Sequence, residues 1–180
     1  MHLLFVCTGN ICRSPTAERL ARAYGEQLQL QGWEASSAGT RAVVSHPVHA
    51  DAARVLEQLG GSADGFAARQ LTGRVAASAD LILTMTRAHR DAVLELAPSK
   101  LNRTFTLVEA AYIASNADLE TIADFAPLRA GAAALGADLD VPDPIGGSPD
   151  LFESIGEQIA ALLPDVLDVC VRTRRQRYAT

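Results

Sequence analysis

The most constraining stretch is "LLFVCTGNICRSPTAERL", residues 3–20. Residues 3–6 form an uninterrupted apolar run, the pattern of a parallel strand covered on both faces. Ser14 and Pro15 then mark a helix start, with Ser as cap and Pro at the first helical position. Cys7 therefore falls at the carboxyl end of a buried strand, and Arg13 at the mouth of the following helix. The Gly9-Asn10 turn lies between them. A strand, a tight loop and a helix within so few residues commit the chain to an α/β architecture.

The rest of the sequence continues that alternation. Ala17, Leu20, Ala21, Tyr24 and Leu28 make the apolar stripe of a first helix stopped at Gly32, and residues 33–38 suit a second strand. Residues 47–59 read as a helix ended by Gly60-Gly61, and "ADLILTM", 79–85, as a third buried strand. A helix over 87–97 stops at Pro98, and a fourth strand follows over 104–108. The last helix runs over 150–171, with Pro164 a kink, and the basic cluster at 172–177 reads as a frayed, solvated helix end. The Ala-rich stretch 113–140 reads as one or two short helices inserted before the next loop. The expected fold is a single domain over 1–180, a three-layer αβα sandwich. Its open, parallel, four-stranded sheet carries a phosphate-binding loop after strand one.

Composition narrows the partners. A net charge of −5 argues against a nucleic-acid binder. No apolar run approaches the length of a membrane span. The N-terminal apolar residues lack a basic flank, so they read as the first strand and not as a signal peptide. Three cysteines do not make a secreted disulfide framework, and the chain reads as cytoplasmic. His46, His49 and His89 are scattered among neighbours that form no ligand set. They read as surface residues, so no metal site is expected.

What can Cys-x5-Arg do between a strand and a helix? A tight turn running into a helix N-terminus presents several backbone N–H groups to one point, a nest for an anion reinforced by the helix dipole. The same field favours the thiolate of a cysteine set inside it. The planar fork of Arg13 can hold two oxygens of a tetrahedral oxyanion. Asn10 can take the left-handed conformation that bends the loop inward. The Ser14 hydroxyl can reach the sulfur as well as cap the helix. This is equipment for attack on a phosphate monoester. The loop lacks the Gly-Lys-Ser/Thr ending of a nucleotide-binding P-loop. An acid must protonate the leaving group, and "DVPDPIGGSPD", 140–150, offers Asp143 fixed between Pro142 and Pro144. The same Asp-Pro is also ordinary turn chemistry.

With both loops in view, the sequence resembles the low-molecular-weight protein tyrosine phosphatase family. The matching pieces are "VCTGNICRSPTAE" (6–18), "SSAGT" (36–40), "ARQL" (68–71), "ADLILTMTRAHR" (79–90), "FTLVE" (105–109) and "DVPDPIGGS" (140–148). The resemblance implies that Cys7 is the nucleophile and forms a phosphocysteine. Arg13 would stabilise the phosphoryl group, and Asp143 would act as general acid and then base, with no metal or other cofactor. Thr8, Gly9, Asn10, Ile11, Cys12 and Ser14 would form the phosphate loop and Ile145 the pocket wall, while Asn10, Ser14 and Ser37 match positions that brace the loop in this family. The implied partner is a phosphorylated protein or peptide. Cys12 either forms a reversible disulfide with Cys7 or packs beneath the loop as a small residue. Cys170 reads as core.

Three features depart from the family pattern, one of them the stretch 113–140, which is longer than usual and so placed to shape or cover the site. Phe66 stands where many relatives carry a histidine that braces the loop, and Ile145 stands where an aromatic is common. The "DPIGGS" and "FTLVE" segments look like the bacterial branch that includes protein-arginine phosphatases. In that branch a small polar residue takes the place of Ile11. An apolar Ile11 leaves a guanidinium without a polar partner but packs on a tyrosine ring, which favours phosphotyrosine. Thioredoxin-coupled arsenate reduction uses the same loop but needs two further cysteines near the third strand. Residues 81–98 contain none. A catalytically silent phosphate-binding module would have lost Cys7, Arg13 or Asp143.

Overall fold

The computed structural model describes residues 1–133 and 139–178. Four strands, β1 (His2–Cys7), β2 (Glu34–Gly39), β3 (Leu81–Thr84) and β4 (Thr104–Thr106), form one sheet in the order β2-β1-β3-β4. Every pairing is parallel, so β1 lies inside the sheet with a neighbour on each side. Its residues alternate between two cores, as a strand buried on both faces must. Leu3, Phe5 and Cys7 face one side, and Leu4 and Val6 the other.

Among the described residues seven α-helices accompany the sheet, with a 3-10 helix over Pro98–Arg103: α1 (Arg13–Gln27), α2 (Ala50–Gln58), α3 (Gly73–Ser78), α4 (Arg87–Leu96), α5 (Leu107–Asn116), α6 (Phe125–Ala133) and α7 (Pro149–Tyr178). Ala17 and Ala21 of α1, Ala110 and Ile113 of α5, and Ile159, Leu163 and Val166 of α7 close the core over Phe5. Ala76 of α3 and Val93 of α4 pack on Leu4, Val6 and Ile82 on the opposite face. Two helical layers thus enclose the sheet, the αβα fold that the alternation of apolar runs implied.

Several boundaries differ from the sequence reading. Helix α1 ends at Gln27, before Gly32, because Gln29 turns left-handed at φ 51°. Strand β4 stops at Thr106. That hydroxyl accepts from Glu109 N while the Glu109 carboxylate accepts from Thr106 N, a capping box that starts α5 at once. The helical segment expected over 113–140 therefore begins at Leu107, and residues 134–138 of it lie outside the described residues. The short helix α3 follows Thr72, whose hydroxyl accepts from Val75 N.

Helix α7 continues through Pro164 to Tyr178. Its basic end is tied down and not frayed: Arg172 Nε donates to Leu119 O, and Arg174 Nε to Gln31 O. Cys170 is fully buried, as expected of a core residue.

Two backbone links place the segment after residue 139 beside the loop after β1. Met85 N donates to Val6 O at 2.9 Å, and Val141 N to Met85 O at 2.7 Å. Residues 139–143 are thereby strung along the carboxyl ends of β1 and β3, where open parallel sheets build their sites.

Candidate active site

The loop from Cys7 to Arg13 is held by its carbonyl groups. Thr40 N, Arg41 N, Val43 N and His49 N donate to the carbonyls of Cys7, Thr8, Gly9 and Ile11, at 2.7 to 3.0 Å. In a trans peptide the N–H points opposite to the C=O. The amides of Thr8, Gly9, Asn10 and Cys12 are therefore turned the other way, toward the loop centre. Asn10 N donates to Cys7 Sγ at 3.3 Å. Asn10 makes this possible with φ 56°, the left-handed conformation its sequence position suggested. With the Asn10 N–H on the sulfur and the neighbouring carbonyls bonded outward, the loop has the form of an anion nest at the start of α1.

Beneath the loop, the direction of each hydrogen bond follows from what the groups can donate. Asn10 Oδ1 accepts from Arg69 N at 2.8 Å, which fixes the amide orientation. Its Nδ2 then donates to Ser14 Oγ at 3.0 Å and to Ser37 Oγ at 2.7 Å. With those oxygens already accepting, Ser14 has its proton for Cys7 Sγ, 2.9 Å away. Ser37 donates to Glu18 Oε2 at 2.6 Å. Arg69 Nε donates to Ser37 O at 2.7 Å, and Arg22 pairs with Glu18 at 3.1 Å.

This network answers the departure at Phe66. Glu18 and Arg69 hold the loop from below, while Phe66 lies under the Arg19 guanidinium, 5.4 Å from its ring centre. Asn10 and Ser14, implied by the resemblance both in the phosphate loop and as its braces, have their side chains fully buried under the loop. Of Asn10, the backbone N–H faces the nest. Ser14 is not the cap of α1: the helix begins at Arg13, its N-cap Cys12 makes no side-chain cap bond, and the Ser14 hydroxyl is committed to Cys7.

Above the nest opens a cleft of about 250 Å³. Thr8, Gly9, Ile11, Cys12 and Ile145 line it with Cys7, Arg13 and Asp143. Arg41 and Val43 line it as well. Arg13 is buried, and its fork is engaged: NH1 donates to Val141 O at 3.0 Å and NH2 to Asp143 Oδ2 at 2.5 Å. Asp143 Oδ1 accepts from Ile145 N at 3.3 Å, which orients the carboxyl at the rim. All three cysteines are free thiols. Cys12 packs against Val48, Ala52, Val55 and Phe152, the small-residue reading of that position. Burial, and after it the charge of Cys7, pushes its thiol up to about 12.

Of the three histidines, His89 is not the surface residue expected. It is 7% exposed, with Nε2 2.8 Å from Thr8 Oγ1 and Nδ1 2.8 Å from Thr86 Oγ1. Burial first, and Arg13 second, push it down to about 4. His49 accepts from Asp51 N at the start of α2 and stacks on Phe152. Glu18, Arg41, Val43, Arg69, Thr86 and His89 escaped the sequence reading. Glu18 alone left a signal there, a carboxylate beside Ala17 and Ala21 on the apolar stripe of α1.

The low molecular weight protein-tyrosine-phosphatase Etp of Escherichia coli strain K12 is 44% identical over 102 residues, spanning 57% of this chain and 66% of Etp. Solved structures match over nearly the whole chain. The YwlE arginine phosphatase, in a mutant with a phosphorylated active-site serine, is 27% identical with a TM-score of 0.76, covering 97% of this chain and 99% of its own. The tyrosine phosphatase AmsI of Erwinia amylovora is 27% identical with a TM-score of 0.70, covering 93% and 91%. The sequence profile of the low molecular weight phosphotyrosine protein phosphatases matches residues 2–129, from β1 through the start of α6, and the chain belongs to that family.

Proposed function

We propose that this chain is a cytoplasmic protein-tyrosine phosphatase acting through a phosphocysteine on phosphorylated proteins or peptides. The observation that carries the reading is Cys7 Sγ inside the nest, with the Ser14 hydroxyl 2.9 Å away and Arg13 and Asp143 on the same cleft. Cys7 Sγ attacks phosphorus in line with the ester oxygen. The S–P bond forms as the P–O bond breaks, and the electron pair leaves on the ester oxygen, which takes a proton from the Asp143 carboxyl. Arg13 and the loop amides receive the charge spread over the three equatorial oxygens. Water then attacks phosphorus, giving a proton to Asp143 as the S–P bond breaks, and the Ser14 proton steadies the departing sulfur. No step calls for a metal.

Ile11, Val43 and Ile145 give the cleft apolar walls, which suit a tyrosine ring better than a guanidinium. The likeness to YwlE keeps protein-arginine phosphatase as the second reading. Three unpaired thiols in a chain this size support a reducing compartment. Among the described residues no helix is long and apolar enough to cross a membrane.

The test compares hydrolysis of p-nitrophenyl phosphate, a phosphotyrosine peptide and a phosphoarginine peptide, with chelator present, by wild type and Cys7→Ser. Turnover of the first two, lost in the variant, is expected. Preference for phosphoarginine would keep the mechanism and overturn the substrate. A folded wild type inactive on all three would overturn the activity itself.

A further inference from the structure

Thr8 lines the cleft beside Cys7 and Arg13. Behind it, in the first turn of α4, His89 is hydrogen-bonded at both ring nitrogens to hydroxyls, Thr8 on one side and Thr86 on the other. Resting on the reading that the cleft receives a phosphoryl group, we propose that His89 is a positioning residue for Thr8. Thr86 donates its hydroxyl proton to Nδ1, and Nε2–H donates to Thr8 Oγ1. The Thr8 proton is then left to donate to a phosphoryl oxygen.

Three observations carry this direction. First, burial and Arg13 keep the ring neutral around neutral pH, so it holds a single N–H and can donate to only one of its two partners. Second, Thr86 Oγ1 already accepts from His89 N at 3.2 Å as the cap of α4. The hydroxyl group left to place there is its own O–H, and Nδ1 at 2.8 Å is the acceptor at hand. Third, Thr8 faces both the imidazole and the cleft. A dianionic phosphoryl group draws the Thr8 proton toward itself, and Oγ1 must then accept from behind. Nε2–H at 2.8 Å is the group positioned to supply that bond. The loop amides are backbone donors; Thr8 adds a side-chain donor whose aim is set by a residue 81 positions away.

The experiment measures binding of inorganic orthovanadate and turnover of p-nitrophenyl phosphate in Thr8→Val, Thr8→Ser, His89→Leu, His89→Gln and the Thr8→Val/His89→Leu double variant. Thr8→Val keeps the shape and removes the hydroxyl. It is expected to weaken vanadate binding and lower kcat by about tenfold or more, the effect of one hydrogen bond to a charged group. Thr8→Ser, which keeps the hydroxyl, should recover most of the Thr8→Val loss. His89→Leu should match Thr8→Val, while His89→Gln, whose amide N–H can replace Nε2–H, should recover most of the loss. The double variant should be no worse than Thr8→Val alone, since His89 acts only through the Thr8 hydroxyl.

Wild-type vanadate affinity in Thr8→Val would overturn the proposal, as would losses that multiply in the double variant. A His89→Gln no better than His89→Leu would overturn it as well. If His89→Leu fails to fold, the Thr8 pair and His89→Gln still decide. Vanadate binding requires no turnover, so a wild type that binds vanadate yet hydrolyses no phosphomonoester would sink the phosphatase reading alone.

Discussion

Arg13 and Asp143, the cation and the carboxylate of the site, are bonded to each other at 2.5 Å across the cleft mouth, although 130 residues separate them in the chain. A phosphoryl group entering the nest competes with the carboxylate for the same guanidinium fork. On the proposed reaction, exchange of one anion for the other would release Asp143 toward the leaving group, where a general acid is needed.

Asp143→Asn is accordingly expected to lower kcat by about two to four orders of magnitude for leaving groups that must be protonated. The loss should be much smaller for p-nitrophenyl phosphate, whose phenoxide departs unaided. Plotting log kcat against leaving-group pKa checks this: the variant should show a steep negative slope and the wild type a shallow one. The melting temperature should barely move, because the Asp143 side chain is 47% exposed and a pair this open to water contributes little to stability.

Asn10 tests the brace. Asn10→Gly keeps the left-handed backbone and removes the bonds to Ser14, Ser37 and Arg69; Asn10→Ala removes them and strains φ as well. Both should lose activity to the same degree, about tenfold or more, since Ser14 and the loop amides are no longer fixed. Asn10→Ala should unfold about 1 kcal/mol more easily than Asn10→Gly, the cost of a Cβ at positive φ. Urea denaturation and steady-state kinetics on the two variants separate the effects.

The fold was legible where local chemistry and tertiary context agree. Residues 3–15 show an apolar run, a Gly-Asn turn and a Ser-Pro start, and the strand, loop and helix lie there within a residue or two. The Thr106-to-Glu109 capping box was equally present in the sequence. Leu107 and Val108 disguised it by prolonging an apolar run, so a helix start read as strand. At the site, Cys7, Arg13 and Asp143 could be read because each has one chemistry that fits its loop. Arg69 and His89 could not, because their partners lie far off in sequence, and Glu18 left only a carboxylate on an apolar stripe. His89 meets Thr8 across 81 residues, and nothing near residue 89 signals that contact.

Ile11 is the position expected to select the substrate. Its apolar side chain lines the cleft with Val43 and Ile145, and a phosphorylated guanidinium placed there has N–H groups with no acceptor on that wall. Ile11→Thr supplies a hydroxyl at the same place. The ratio of kcat/KM for a phosphoarginine peptide over a phosphotyrosine peptide should rise by about tenfold or more, since a buried group left unpaired is what such sites reject most strongly. Unchanged ratios would show that Ile11 does not set the preference.

His89 links the site to the acid stability of the whole fold. Its folded-state pKa is pushed down to about 4, by burial first and Arg13 second, from an ordinary value of 6.5. The unfolded chain therefore binds a proton between those two values that the folded chain refuses, so stability rises with pH through the window. Above about pH 7.5 His89 is neutral in both states and has no effect. As pH falls through 6.5 the unfolded state gains, and below 4 the penalty levels off at about 3 kcal/mol. His89→Gln has no such titration. The stability of wild type minus that of His89→Gln, from urea midpoints at pH 7.5, 6.0 and 4.5, should shrink steadily with acidification, carboxylate effects cancelling between the two proteins. A difference that stays constant across that range would mean that His89 takes its proton in the folded protein as readily as in the unfolded one.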